Sequence, residues 1–146
     1  MDARDKIRTA ALFLFTEGSF EKTSVATICR EASVSNGSFI HAFANKEALG
    51  ADLFLSALAN YHAAMIQAIE GEPDAMAGVA GLVEAHLEWV VAERRQARFL
   101  FEQARSQWLV HLRAGQAAEN ARFGRLLADW RAPLVSQGVE FDFRNR

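Results

Sequence analysis

The stretch Thr23–Phe43, TSVATICREASVSNGSFIHAF, decides how this chain is read. It holds two short helical patterns with only a few residues between them. In the first, Ser24 is placed to cap, and Val25, Ile28, Cys29 and Ala32 fall at i, i+3, i+4 and i+7 on one apolar face. SVSNG interrupts that pattern, and Ser35 caps a second helix from Asn36 to about Phe43. Each has roughly two turns, too few to persist without packing on its neighbours. Val34, Phe39 and Phe43 are spaced to pin the second helix inward, which leaves Asn36, Ser38, Ile40, His41 and Ala42 outward. Gly37 and Ala42 have almost no side chain, so a partner's surface can approach the backbone closely. Thr23 and Ser24 stand where free N–H groups and the helix dipole favour an anion, and Lys46 opens the next helix on the same side. A small-faced helix between two anion-favouring positions is the geometry of a helix-turn-helix that enters a DNA groove.

Outward from that stretch the chain reads as nearly all helix. It has only two prolines, Pro73 and Pro133, and little period-two alternation. Before it, Ile7, Ala10, Ala11 and Leu14 follow helical spacing, Gly18 supplies a left-handed stop, and Phe20 packs back toward Phe15 or the next helix. After it, Asn45 caps a long fourth helix with Phe54, Leu58, Tyr61 and Met65 in one stripe and Leu49 and Leu53 in the next. A fifth helix starts with Pro73 near its first position and carries Met76, Val79, Val83, Leu87, Val90 and Val91 on a broad apolar face. A sixth follows over ARFLFEQARSQWLVHL with a kink near Ser106, and a seventh ends by Pro133. In the tail, Val139, Phe141 and Phe143 alternate with charged residues.

Composition bounds the rest. With 146 residues, 51% hydrophobic and 23% charged, the chain can bury a core without a disulfide or a metal staple. A single cysteine, Cys29, rules out an internal disulfide and suits a reducing cytoplasm; its expected place is the core. The charged start MDARDKIRTA lacks the apolar centre of a signal peptide, and no apolar run approaches the roughly 20 residues of a membrane span. Within residues 1–50, six cations and six carboxylates cancel, so any basic patch must come from placement.

Ala11–Leu49 resembles the N-terminal domain of the tetracycline-repressor (TetR) family of bacterial transcriptional regulators. The matching elements are Phe13–Phe15, Gly18–Phe20, Thr23-Ser24-Val25, Ile28, Ala32, Val34-Ser35, Gly37-Ser38-Phe39, Phe43 and Asn45 to Leu49. The resemblance implies an all-α fold: a three-helix DNA-binding head over residues 1–47, then a helical effector-binding and dimerising body over 48–146. It implies a regulator, most simply a repressor, that holds a palindromic operator as a homodimer and is released by a small molecule. Ser35, Asn36, Gly37, Ser38, Ile40 and His41 then face DNA, with Thr23, Ser24 and Lys46 on phosphates. This chain has Ser33 where the family pattern has glycine, Asn36 where a basic residue is common, and Ile40 and Ala42 in place of phosphate-touching tyrosines. The family's last two helices find no room before Arg146.

In the body, Tyr61, Met65, His86, Trp89, Phe101, Arg105 and Trp108 are the expected effector-pocket residues, and Leu126, Leu127 and Trp130 the expected dimer contacts, helped by the VEFDF tail. His62, His86 and His111 have no partner at a metal-ligand spacing, so neither metal nor cofactor is expected. No nucleophile–base or carboxylate pair points to an enzyme. The competing reading is a protein-interaction module on the same scaffold, favoured by the uncharged head.

Overall fold

The computed structural model describes residues 1–138. Among them are seven α-helices: α1 (Ala3–Glu17), α2 (Val25–Ala32), α3 (Asn36–Ala42), α4 (Lys46–Ile69), α5 (Ala75–Ala92), α6 (Arg94–Gln103) and α7 (Arg113–Ser136). A 3₁₀ segment, Gln107–Leu112, leads into α7. The tail expected to help pairing, Val139 to Phe143, lies outside the described residues.

The helix starts follow from short polar side chains. Asp2, Ser24, Ser35, Asn45 and Asp74 each accept a first-turn backbone N–H, at 2.7 to 3.1 Å. Each such cap stabilises its helix by about 1 kcal/mol. For α5 the cap is Asp74, and Pro73 stands immediately before it.

The head and body share one core. Ile7, Phe15, Ile28, Phe39, Leu49, Phe54 and Phe99 are buried in a single cluster that runs from α1 to α6. Phe15 meets Phe20 edge-on at 4.9 Å and stacks on Phe99 at 5.7 Å. Phe20 in turn stacks on Trp108, with centroids 4.3 Å apart and planes 12° from parallel. Cys29 is buried beneath α3, and burial pushes its thiol pKa up, so the thiolate is disfavoured.

Three expectations change. Gly18 ends α1 at φ −114°, which is not left-handed; its N–H still bonds Leu14 O at 3.0 Å. The kink expected near Ser106 is a full break, because the buried Gln103 Oε1 accepts from both Ser106 Oγ at 2.7 Å and Trp108 Nε1 at 3.0 Å. Pro133 sits inside α7, not past its end: Leu134 is buried and anchors one more turn, and Ser136 Oγ bonds Pro133 O at 2.7 Å.

The broad apolar face of α5 looks outward, with Met76, Val79, Val83, Leu87 and Val91 all exposed, because Gly78 and Trp89 are the residues turned to the core. By length and composition α5 is the one described helix that could cross a membrane, although only 11% of it is buried in the fold.

Candidate nucleic-acid interface

The tight geometry of residues 24–43 is built from the cap of one helix to the floor of the next. α2 stops at Ser33, which takes a left-handed conformation (φ 54°, ψ 46°) so that its N–H reaches Arg30 O at 3.2 Å. Val34 N–H then bonds Cys29 O at 3.0 Å, and the chain is turned toward α3 within two residues. Buried Phe39 and Phe43 clamp α3 onto α1 and α2, so its opposite side must face solvent. Asn36, Gly37, Ile40 and His41 are exposed there, and Ile40 keeps 61% of its surface in water.

Ile40 is the one exposed large apolar side chain on α3, and it lies next to the exposed His41. A Cβ at Gly37 would meet only Ser35 Oγ, at an ordinary 3.7 Å, so the fold itself does not require glycine. Ser38 is half-buried, and its hydroxyl lies 3.0 Å from Ser35 Oγ, which caps the helix. The surface hollow beside α3 is lined by Arg4, Gly37, Ser38, His41 and Ala42.

The phosphate-grade positions are arranged differently from expectation. Thr23 is buried, with its hydroxyl donated to Ser19 O at 2.7 Å. Lys46 Nζ donates to Phe20 O at 2.7 Å and Glu21 O at 3.4 Å, and sits 4.4 Å from the centre of the Phe20 ring. Both side chains therefore brace the loop that enters α2. Ser24 stays exposed at the mouth of α2.

Two residues that the sequence reading passed over stand beside Ser24. Thr27 Oγ1 is 2.9 Å from Ser24 Oγ, and Arg30 Nη2 donates to Thr27 Oγ1 at 3.5 Å. The i, i+3, i+6 spacing of Ser24, Thr27 and Arg30 was the available signal for this polar face. Among the described residues, Lys6, Lys22 and Arg30 are the head cations outside α4 that make no ion pair. Arg4 and Arg8, by contrast, both pair with Asp52. Arg4 also donates to Ala42 O at 2.9 Å and lies over the Phe43 ring at 4.2 Å, tying α1, α3 and α4 together.

Residues 7–53 match the model of the "Bacterial regulatory proteins, tetR family". Residues 7–53 thus form a head similar to that of the TetR family, and the fold as a whole is similar to solved TetR family regulators. PfmR from Thermus thermophilus, a TetR family transcriptional regulator, superposes with a TM-score of 0.77 at 26% identity, covering 93% of this chain and 75% of that one. A putative tetR family regulator from Shewanella sp. PV-4 gives 0.64 at 26% identity, covering 94% and 88%. A TetR family regulator from Marinobacter aquaeolei VT8 gives 0.76 at 19% identity; this chain covers 64% of that protein's length and 86% of its own. No curated protein matches.

In this TetR-like body the expected effector residues do not all converge. Tyr61, His86, Trp89 and Phe101 do, between α4, α5 and α6: Tyr61 Oη lies 2.9 Å from His86 Nδ1 and its ring meets Trp89 edge-on at 5.0 Å. Trp89 is buried and donates to Asn60 Oδ1 at 3.2 Å, Met65 is buried on α4, and burial raises the Tyr61 pKa, which keeps its hydroxyl neutral. Arg105 is exposed in the α6 break. Trp108 belongs to the head–body seam, against Phe20 and Gly50. Leu126 and Leu127 are half-buried on α7, and Trp130 donates to Glu72 O at 2.9 Å while its ring covers Gly78 of α5. His62, weighed in the sequence only as a metal ligand, is buried on α4, stacked on Phe123 at 4.2 Å and 3.2 Å from Glu119 Oε1.

Proposed function

We propose that this chain is a sequence-specific DNA-binding regulator of transcription, acting as a dimer on a two-fold operator, and most simply a repressor released by a small molecule. The observation that carries this is the outward side of α3: an exposed Ile40 beside Asn36 and His41, with Gly37 open for close approach where the fold has no need of glycine. Asn36 and His41 supply hydrogen bonds to base edges, with Ser38 beside them, and Ile40 suits a thymine methyl. Phosphates fall to the backbone N–H groups at Ser24 and to Arg30, with Lys22 before them; Thr23 and Lys46 hold that loop in place. An effector would sit at the Tyr61–His86–Trp89–Phe101 cluster, where one polar pair lies among aromatic rings.

Fluorescence anisotropy on a duplex from the protein's own promoter region, against a scrambled duplex at low and moderate salt, tests the reading. Preference for the promoter that survives added salt is expected. With only a few cations at the interface, the salt slope should be shallow. Equal binding to both duplexes, lost with salt, would refute sequence reading. No binding to either would leave the interaction-module reading in its place.

A further inference from the structure

We infer that the outer face formed by α5 and α7 is where a second copy of this chain docks, with the α5 ridge of each copy seated in the α5–α7 groove of the other. This rests on the dimeric reading above and names its interface.

The ridge comes first. Met76, Val79, Val83, Leu87 and Val91 are 80, 43, 58, 59 and 71% exposed. Spaced three or four residues apart, they form one stripe along α5, about 22 Å long at 1.5 Å per residue. So much aligned apolar surface exceeds the scattered exposure ordinary on a soluble monomer. The face is also rigid, because α5 lies against α4 and its Gly78 is covered by the Trp130 ring.

Beside the ridge runs a groove walled by Val79, Leu82 and Val83 of α5 and by Gly124, Leu127 and Ala128 of α7. A Cβ at Gly124 would meet nothing within 4 Å, so the groove is open there. Exposed Ala117, Ala121, Gly124 and Ala128 give α7 a small-residue side on which large side chains from another helix can sit. A ridge and a groove on the same face are self-complementary under a two-fold axis, the condition for an isologous pair.

Charge agrees. The charged residues of α5 are Glu84 and Glu88, both exposed, with no Lys or Arg. The α7 side carries exposed Arg125 and Arg131, which outweigh the exposed Asp129 beside them, while Arg122 pairs with Glu119 of the same helix. Bringing α5 of one copy onto α7 of the other therefore sets carboxylates against guanidinium groups at the rim. A bilayer is a poorer occupant, since it would take the two carboxylates of the apolar helix.

Sedimentation equilibrium of the whole chain at micromolar concentration is the test, with Val83→Glu/Leu87→Glu as the disrupting variant. Both positions are exposed, so the variant should keep its helical circular dichroism and melting temperature. The expected result is a dimer for the parent chain and a monomer for the variant. A charge series keeps the answer specific: Glu84→Arg/Glu88→Arg should raise the dimer dissociation constant roughly tenfold, and adding Arg125→Glu/Arg131→Glu should recover most of the loss. A monomeric parent chain, a dimer indifferent to the Val83/Leu87 change, or flotation of the parent chain with phosphatidylglycerol vesicles in place of pairing would each overturn the proposal. The mass is measured without DNA, so a failure of pairing is distinguishable from a failure of sequence reading on the promoter duplex.

Discussion

Replacing Ser33 with glycine should stabilise the protein. Ser33 is the only non-glycine residue with positive φ among the described residues, and it is held there by the α2 terminus. Its N–H bonds Arg30 O, and the following Val34 N–H bonds Cys29 O at 3.0 Å, a pairing that a right-handed residue at 33 would break. A Cβ in that conformation costs roughly 1–2 kcal/mol. Glycine removes the cost but loses about 0.5–1 kcal/mol through its freer unfolded chain. Ser33 is exposed and its hydroxyl makes no hydrogen bond among the described residues, so nothing else is lost. The net gain should be about 0.5–1 kcal/mol, or roughly 1–4 °C in melting temperature for a chain of this size. Urea and thermal melts read both quantities, and the urea m-value should not change. Ser33→Ala keeps the Cβ and should stay within a few tenths of a kcal/mol of the parent. Ser33→Val, stiffer at χ1, should be worse by about 1 kcal/mol. If Ser33→Gly gave no gain, or Ser33→Ala gained as much, the strain would not reside in the Cβ and the argument would fail.

Other expectations follow from the same geometry. Gly37→Ala should raise thermal stability by about 0.5–1 kcal/mol, because the Cβ meets no obstacle and alanine favours helix; the same change should weaken promoter binding in anisotropy, and unchanged affinity would remove the close-approach argument. Asp52→Ala should cost about 1–2 kcal/mol in a urea melt, the modest sum of two partly screened pairs to Arg4 and Arg8; a loss confined to a few tenths would mean that these pairs do not hold α1 to α4. Gly50→Ala should cost about 1–3 kcal/mol, since its Cβ would lie 2.8 Å from Phe20 Cε2 and 2.8 Å from Trp108 Cη2. Shortening Trp108 to Leu in the Gly50→Ala background should return part of that loss, and a strictly additive double variant would show that the contact is not the cause.

Where local chemistry dominates, the sequence was readable. Ser24, Ser35 and Asn45 cap the helices they precede, and Phe39 and Phe43 bury as their spacing predicts, because both follow from side-chain length and a 3.6-residue period. Side chains with two possible uses were not readable. The ammonium of Lys46 suits a phosphate or a carbonyl, and only the tertiary position of Phe20, 26 residues earlier, shows that it takes the carbonyl. Trp108 reads as a pocket aromatic until the break after Gln103 swings it to the seam. The apolar face of α5 is the sharpest case. Periodicity marks a face as apolar without saying what covers it, and within this chain nothing described covers the stripe from Met76 to Val91.

The seam bears on how a regulator of this shape would work. Phe20 is stacked on Trp108 and lies beneath the Lys46 ammonium, while its carbonyl accepts from that same Lys46. Trp108 is fixed by Gln103, the last residue of α6, and Lys46 is the first residue of α4. The end of α6, the loop into α2 and the start of α4 are thus joined through one phenyl ring. Packed contacts of this kind do not stretch; they hold one arrangement or change to another. A ligand at Tyr61 and His86 touches α4 and α5, one helical run away from this joint. It can move α3 only if it binds one arrangement of the joint better than the other, because a ligand shifts an equilibrium by no more than its differential affinity. Aromatic packing at Phe20 and Trp108, more than any hinge in the loop, would then decide how much of that difference reaches the DNA-facing helix.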